Sequence, residues 1–83
     1  MFEVRISPRA AKQIKQIKKI YQEAILSALE ELRDDPFIGK PLSRELTGRF
    51  SYKIDSYRII YKVNKRDKIV SILIAGHRGT IYE

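Results

Sequence analysis

The chain contains no cysteine and a single histidine. Neither a disulfide nor a thiol nucleophile is therefore available, and one histidine cannot by itself build a zinc site, so metal catalysis and bound cofactors are not expected. No stretch approaches the ~20 apolar residues needed to span a bilayer. Met1-Phe2-Glu3-Val4 starts a strand-like run rather than a signal peptide, which makes the cytoplasm the expected location. No repeat or low-complexity tract interrupts the sequence, so residues 1–83 are expected to form one domain.

What is present is positive charge on a foldable chain. The hydrophobic content of 43% is enough for a core rather than a disordered basic tail. Net charge is +7, and it is unevenly placed: nine Lys/Arg face four Asp/Glu from Arg44 onward, against eight and six in residues 1–43. A basic field concentrated in one half points to a polyanionic partner, nucleic acid or an acidic protein.

Phe2, Val4 and Ile6 alternate with Glu3 and Arg5 as in a strand with one buried face. Ser7-Pro8 then reads as a hydroxyl N-cap followed by proline at the first helical position. Ala10, Ile14, Ile17, Tyr21, Ala24, Ala28 and Leu32 follow at steps of three and four, which would permit one helix about 39 Å long. A domain of this size has a radius of gyration of only ~12 Å, so a break near Lys19 to Tyr21 is expected although no Gly or Pro marks it. Lys12, Lys15, Lys18 and Lys19 read as a solvated helix face. Asp34-Asp35-Pro36 ends the helical part, and the apolar residues of the connector running to Leu42 should pin it to the body.

The last third carries the chemistry. Tyr52-Lys53-Ile54 and Tyr57 to Val63 are β-branched and aromatic runs separated by Asp55-Ser56, a pair suited to a two-residue hairpin loop. Such a loop sets Ile54 opposite Tyr57 and Lys53 opposite Arg58. Two cations facing each other cost roughly 0.2–1 kcal/mol relative to a neutral pair, and an anionic ligand would relieve the repulsion. The plainer reading is that both side chains spread into solvent.

An even-numbered loop around Asn64-Lys65-Arg66-Asp67 sets Val70, Ile72 and Ile74 beside Ile59, Tyr61 and Val63 as the core face. Arg58, Ile60, Lys62, Ser71 and Leu73 fall on the other face, where charge sits on an apolar floor. Continued evenly, the strand would turn His77 toward the Arg58 face and Arg78 toward the core, where an unpaired guanidinium is costly. A bulge at Gly76 would exchange the two directions, so the pattern leaves open which of them enters the site.

In order, Asp35-Pro36, Gly39-Lys40-Pro41-Leu42, Leu46, Gly48, Ser51-Tyr52-Lys53-Ile54, Tyr57-Arg58-Ile59-Ile60-Tyr61 and Gly76-His77-Arg78 through Tyr82 resemble the RelE branch of the RelE/ParE toxin superfamily. The resemblance covers essentially the whole chain. It implies an α+β fold of β-α-α-β-β-β order, with two N-terminal helices packed on a curved antiparallel sheet. It also implies a cognate antitoxin as partner in a hetero-oligomer, and metal-free cleavage of messenger RNA on the ribosome. Such cleavage proceeds by 2′-hydroxyl attack on the adjacent phosphate and needs a base, an acid and cations.

Carried onto this sequence, the resemblance implies phosphate stabilisation by Arg58 and Arg78, whose guanidinium forks match phosphate oxygens. Lys53 adds charge or helps remove the 2′ proton, and Tyr82 stacks on or orients a base. Lys62, which strand parity sets on the Arg58 face, is a further candidate for RNA contact. His77 is a candidate general acid, with a structural residue at the strand end as its plainer reading.

Three departures stand against this. Asp55 occupies the offset where some relatives carry a second lysine, Gly79 replaces a second basic residue after Gly-His-Arg, and the sequence given ends at Glu83 without a C-terminal helix. Two other readings therefore stay open: a ParE-like DNA gyrase inhibitor acting by binding alone, and a catalytically silent homologue acting within a repressor complex.

Overall fold

The fold is that of a computed structural model, which describes residues 1–42 and 48–77. Strand β1 (Glu3–Ile6) leads to helices α1 (Pro8–Lys15) and α2 (Lys19–Asp34), then a short 3-10 turn (Pro36–Ile38). Strands β2 (Lys40–Pro41), β3 (Arg49–Ile54), β4 (Tyr57–Asn64) and β5 (Ile69–His77) complete a five-stranded sheet of order β1-β5-β4-β3-β2. The expected helical pair on a sheet is present. The sheet is mixed, because β1 lies parallel to β5 while the other pairs are antiparallel, and the connector contributes the additional two-residue strand β2.

The radius of gyration is 11.8 Å, too small for a single long helical rod, and the chain does break. The break falls at residues 16–18, earlier than expected. Its signal is a side chain: the Gln22 amide donates to the carbonyls of Ile14 (2.8 Å) and Ile17 (2.9 Å), satisfying groups that a continuous helix would have paired. The turn also changes the helical phase. Ile25 and Leu29 join Ala28 and Leu32 in the core, and Ala24 faces outward instead.

Both halves of the Ser7-Pro8 signal appear. Ser7 Oγ accepts from the Ala10 N–H at 3.0 Å and Pro8 occupies the first helical position. Ser7 does more than cap. Its N–H donates to the Ile72 carbonyl at 2.9 Å and its hydroxyl to the Leu73 carbonyl at 3.0 Å.

Leu73 is the one residue of β5 left without a partner, since Tyr61 pairs with Ile72 and Ile60 pairs with Ile74. This is the strand's bulge, and it lies at Leu73 rather than at Gly76. The core face of β5 therefore continues through Val70, Ile72 and Ala75 in place of Ile74. Beyond Ile72 strand β1 has ended, and α1 takes its place. The Gln13 side-chain carbonyl accepts the Ala75 N–H at 2.9 Å.

On the far side, the connector is held by one phenol. Tyr61 is fully buried; its hydroxyl donates to the Pro36 carbonyl at 2.7 Å and accepts the Gly39 N–H at 3.1 Å. Gly39 is required there, because a Cβ would come 2.2 Å from the Tyr61 hydroxyl. The pinning is thus done by Pro36, Gly39 and Tyr61, while Phe37 and Ile38 stay partly exposed. Burial pushes the Tyr61 phenol up to about 12.

Two predictions follow from these contacts. Replacing Gln13 with Leu orphans the Ala75 N–H and should lower unfolding free energy by about 1–3 kcal/mol, with faster amide exchange at Ala75. Tyr61→Phe should cost a similar amount in urea unfolding at neutral pH. An unfolded tyrosine ionises near pH 10 and the folded one only near 12, so this stabilisation is complete below pH 10 and lost as pH rises through 12. The stability gap between wild type and Tyr61→Phe should narrow across that window.

Candidate functional site

The site is written in the strand register. Asp55-Ser56 forms the two-residue loop, with Asp55 in the left-handed region at φ 53°, and Ile54 pairs with Tyr57 while Lys53 pairs with Arg58. Paired residues point to the same face, so both cations project from the side opposite the helices. Phe50, Tyr52 and Ile54 on β3 and Tyr57, Ile59 and Tyr61 on β4 pack toward the core. The Tyr52 hydroxyl donates to the Glu31 carboxylate, tying β3 to α2, and this bond raises the Tyr52 pKa above its ordinary value.

The outer face is organised in rows running across the sheet, roughly 6.6–6.8 Å apart. One row is Lys53, Arg58 and Gly76. Gly76 adds no side chain to that row. The next is Lys40, Ser51, Ile60 and Ile74, with Ser51 and Ile60 buried as a floor. A third is Arg49, Lys62 and Ser71, continued onto β1 by Arg5, which is paired with Glu3. Among the described positions of this face on β3, β4 and β5 there is no carboxylate. A face that gathers Lys40, Arg49, Lys53, Arg58 and Lys62 favours a ligand bearing several negative charges.

The predicted residues are distributed as follows. Lys53 and Arg58 are brought together in register, and Lys62 shares their face. His77 does not. The bulge at Leu73 has already shifted the alternation, so His77 pairs with Tyr57 and its ring meets Tyr57 edge-on at 5.7 Å, beside Gln13, Gln16, Ile17 and Lys18 of the helical side. Arg78 and Tyr82 lie outside the described residues.

Asp55 sits in the turn rather than on a strand, so the offset where a second lysine was considered is not a rung of this ladder. Sequence reasoning missed Arg49. Counting the Lys53–Arg58 register back two more rungs on the same face would have set it opposite Lys62.

Two helices covering one face of a mixed sheet, with a cation-lined face on the other side, define a toxin of the RelE/ParE superfamily. The family of ParE toxins of type II toxin–antitoxin systems (parDE) matches residues 4–82, and the chain belongs to it. It is 32% identical over 83 residues to toxin RelG of Mycobacterium tuberculosis, across 98% of this chain and 95% of RelG.

Among solved structures, it is similar to the RelBE2 toxin–antitoxin complex of Mycobacterium tuberculosis, with a TM-score of 0.86 at 32% identity over 93% of this chain and 98% of that one. The archaeal RelE–RelB complex from Pyrococcus horikoshii OT3 aligns with a TM-score of 0.80 at 26% identity, over 95% of this chain and 97% of that one.

The cross-strand repulsion is directly measurable. Lys53→Gln should raise unfolding free energy by about 0.2–1 kcal/mol, seen as a higher urea midpoint at unchanged slope. A lower midpoint would show that the two cations are not working against each other.

Proposed function

We propose that this toxin is a ribosome-dependent endoribonuclease that cleaves messenger RNA by 2′-hydroxyl attack. The ribose 2′ oxygen bonds to the adjacent phosphorus and the bond from phosphorus to the 5′ oxygen breaks. The products are a 2′,3′-cyclic phosphate and a 5′-hydroxyl. The attacking hydroxyl's proton passes to a base and another is delivered to the leaving oxygen.

The observation that supports this reading most is the same-face pairing of Lys53 with Arg58 beside the side-chain-free position Gly76. Two cations there can hold the charge that grows on a phosphate in the transition state. Arg58 binds the phosphate oxygens through its planar fork, and Lys53 adds charge or assists removal of the 2′ proton. Arg78 and Tyr82 take the roles the resemblance gives them, a second guanidinium on the phosphate and a ring against the base. His77, set against Tyr57 on the helical side, supports the strand end in this scheme rather than serving as the acid.

The two solved relatives are complexes with antitoxins, and this chain is proposed to pair with one as well. Ile20 and Leu26 of α2 are 72% and 51% exposed and offer apolar anchors for a wrapping antitoxin segment. The matching family's ParE description favours a second reading, inhibition of DNA gyrase by binding alone, which requires no cation pair on the outer face.

One assay separates them. Arg58→Ala and Arg78→Ala should each lower messenger cleavage in a translating extract by at least the ~10²-fold typical of a lost transition-state donor, with the fold intact by circular dichroism. Undiminished cleavage by both variants contradicts the proposal, and loss of gyrase supercoiling activity without cleavage selects the alternative.

A further inference from the structure

The Lys53–Arg58 rung occupies only one end of the outer face. Four residues further along β3 the same register sets Arg49 opposite Lys62, again a guanidinium facing an ammonium. The two rungs are about 13 Å apart, too far for one phosphate to touch both. Between them lie Ser51 and Ile60, buried and uncharged, and beyond Lys62 the row continues to the hydroxyl of Ser71. Like-charge pairs are unfavourable in an isolated sheet, and among the described residues of β3, β4 and β5 no carboxylate stands beside Arg49 and Lys62. A ligand whose negative charges recur along its length can reach both rungs together.

We infer that Arg49 and Lys62 form a second phosphate-binding rung, which holds the single-stranded RNA backbone at a nucleotide removed from the one at Lys53 and Arg58. This rests on reading the outer face as an RNA surface, and it gives that surface a direction. The strand of RNA runs along β3 and β4 rather than across them, and Arg49 and Lys62 position it without touching the reacting atoms.

RNA fits this face better than an acidic protein segment does. An amphipathic peptide needs apolar anchors, and the large exposed hydrophobic side chains among the described residues are Met1, Ile6, Ile20, Leu26, Phe37 and Ile38. None of them lies on the outer face of β3, β4 or β5. The floor between the rungs is Ser51 and Ile60, both already buried.

The test measures binding of 2′-O-methyl RNA, which cannot be cleaved, as a dinucleotide and as a longer oligomer over a range of salt. The proteins are wild type, Arg49→Gln/Lys62→Gln, and Lys12→Gln/Lys15→Gln as a control of equal charge change on α1. A single-strand phosphate contact contributes about 0.7 to the slope of log affinity against log salt. The outer-face variant should lose about 1.4 of slope with the longer oligomer and bind the dinucleotide as wild type does.

Equal behaviour of the two double variants overturns the rung. So does a variant that loses affinity for an acidic antitoxin peptide while its RNA binding is unchanged. Messenger cleavage by wild type is scored in parallel. If wild type does not cut but the slope falls as expected, the rung stands and the nuclease reading alone fails. If wild type cuts and the slope is indifferent, the rung alone fails.

Discussion

The outer face depends on a bulge, and the bulge depends on α1. Leu73 has no cross-strand partner, and a strand with an unpaired residue beside an ended neighbour would leave carbonyl and amide groups without bonds. Ser7 supplies a donor to the Leu73 carbonyl, and Gln13, two turns of helix later, accepts the Ala75 N–H. The residues that start and line the first helix therefore determine where β5 changes phase. Past that point Ala75 enters the core beside fully buried Ala10, Gly76 stands beside Arg58, and His77 is turned to Tyr57. Without the bulge, the Tyr61–Ile72 register carried onward would set Ala75 opposite Arg58 and turn His77 to the outer face.

On the other side of the sheet the same economy holds. Tyr61 reaches through the core to the connector, fixing Pro36 and Gly39 with a single hydroxyl, and it stacks on Phe50 at 5.5 Å. Phe50 belongs to the strand that carries Arg49, Ser51 and Lys53 on its opposite face. Core packing and cation spacing are thus two faces of one register, and a slip of one residue in β3 would exchange them. The cations remain where repulsion disfavours them because the aromatic face cannot move without them.

Much of this is legible in the amino-acid sequence. Asp55-Ser56 as a two-residue loop determined the Lys53–Arg58 rung by counting alone, and Ser7-Pro8 marked the helix start. Asn64 and Asp67 closed the second hairpin as their side chains allow, each bonded to the other. What was not legible depended on contacts distant in sequence. The helix break is stabilised by Gln22 reaching back to Ile14 and Ile17, and the bulge by Ser7 and Gln13 acting on residues more than sixty positions away. Glycine at 76 was the local hint of a bulge, and the local hint was outweighed by what α1 could bond. The parallel placement of β1 on β5 likewise has no local sign, since an alternating strand reads the same in either direction.

The central claim is that a face built by register, with paired cations and no acid on its inner strands, exists to bring a phosphate to reaction. The most direct measurement incubates the purified toxin with ribosomes translating a defined messenger and determines the chemistry of the new RNA ends. The account predicts 2′,3′-cyclic phosphate ends paired with 5′-hydroxyl ends at the codon in the ribosomal A site. Intact messenger under the same conditions, with the toxin folded and free of antitoxin, would contradict it.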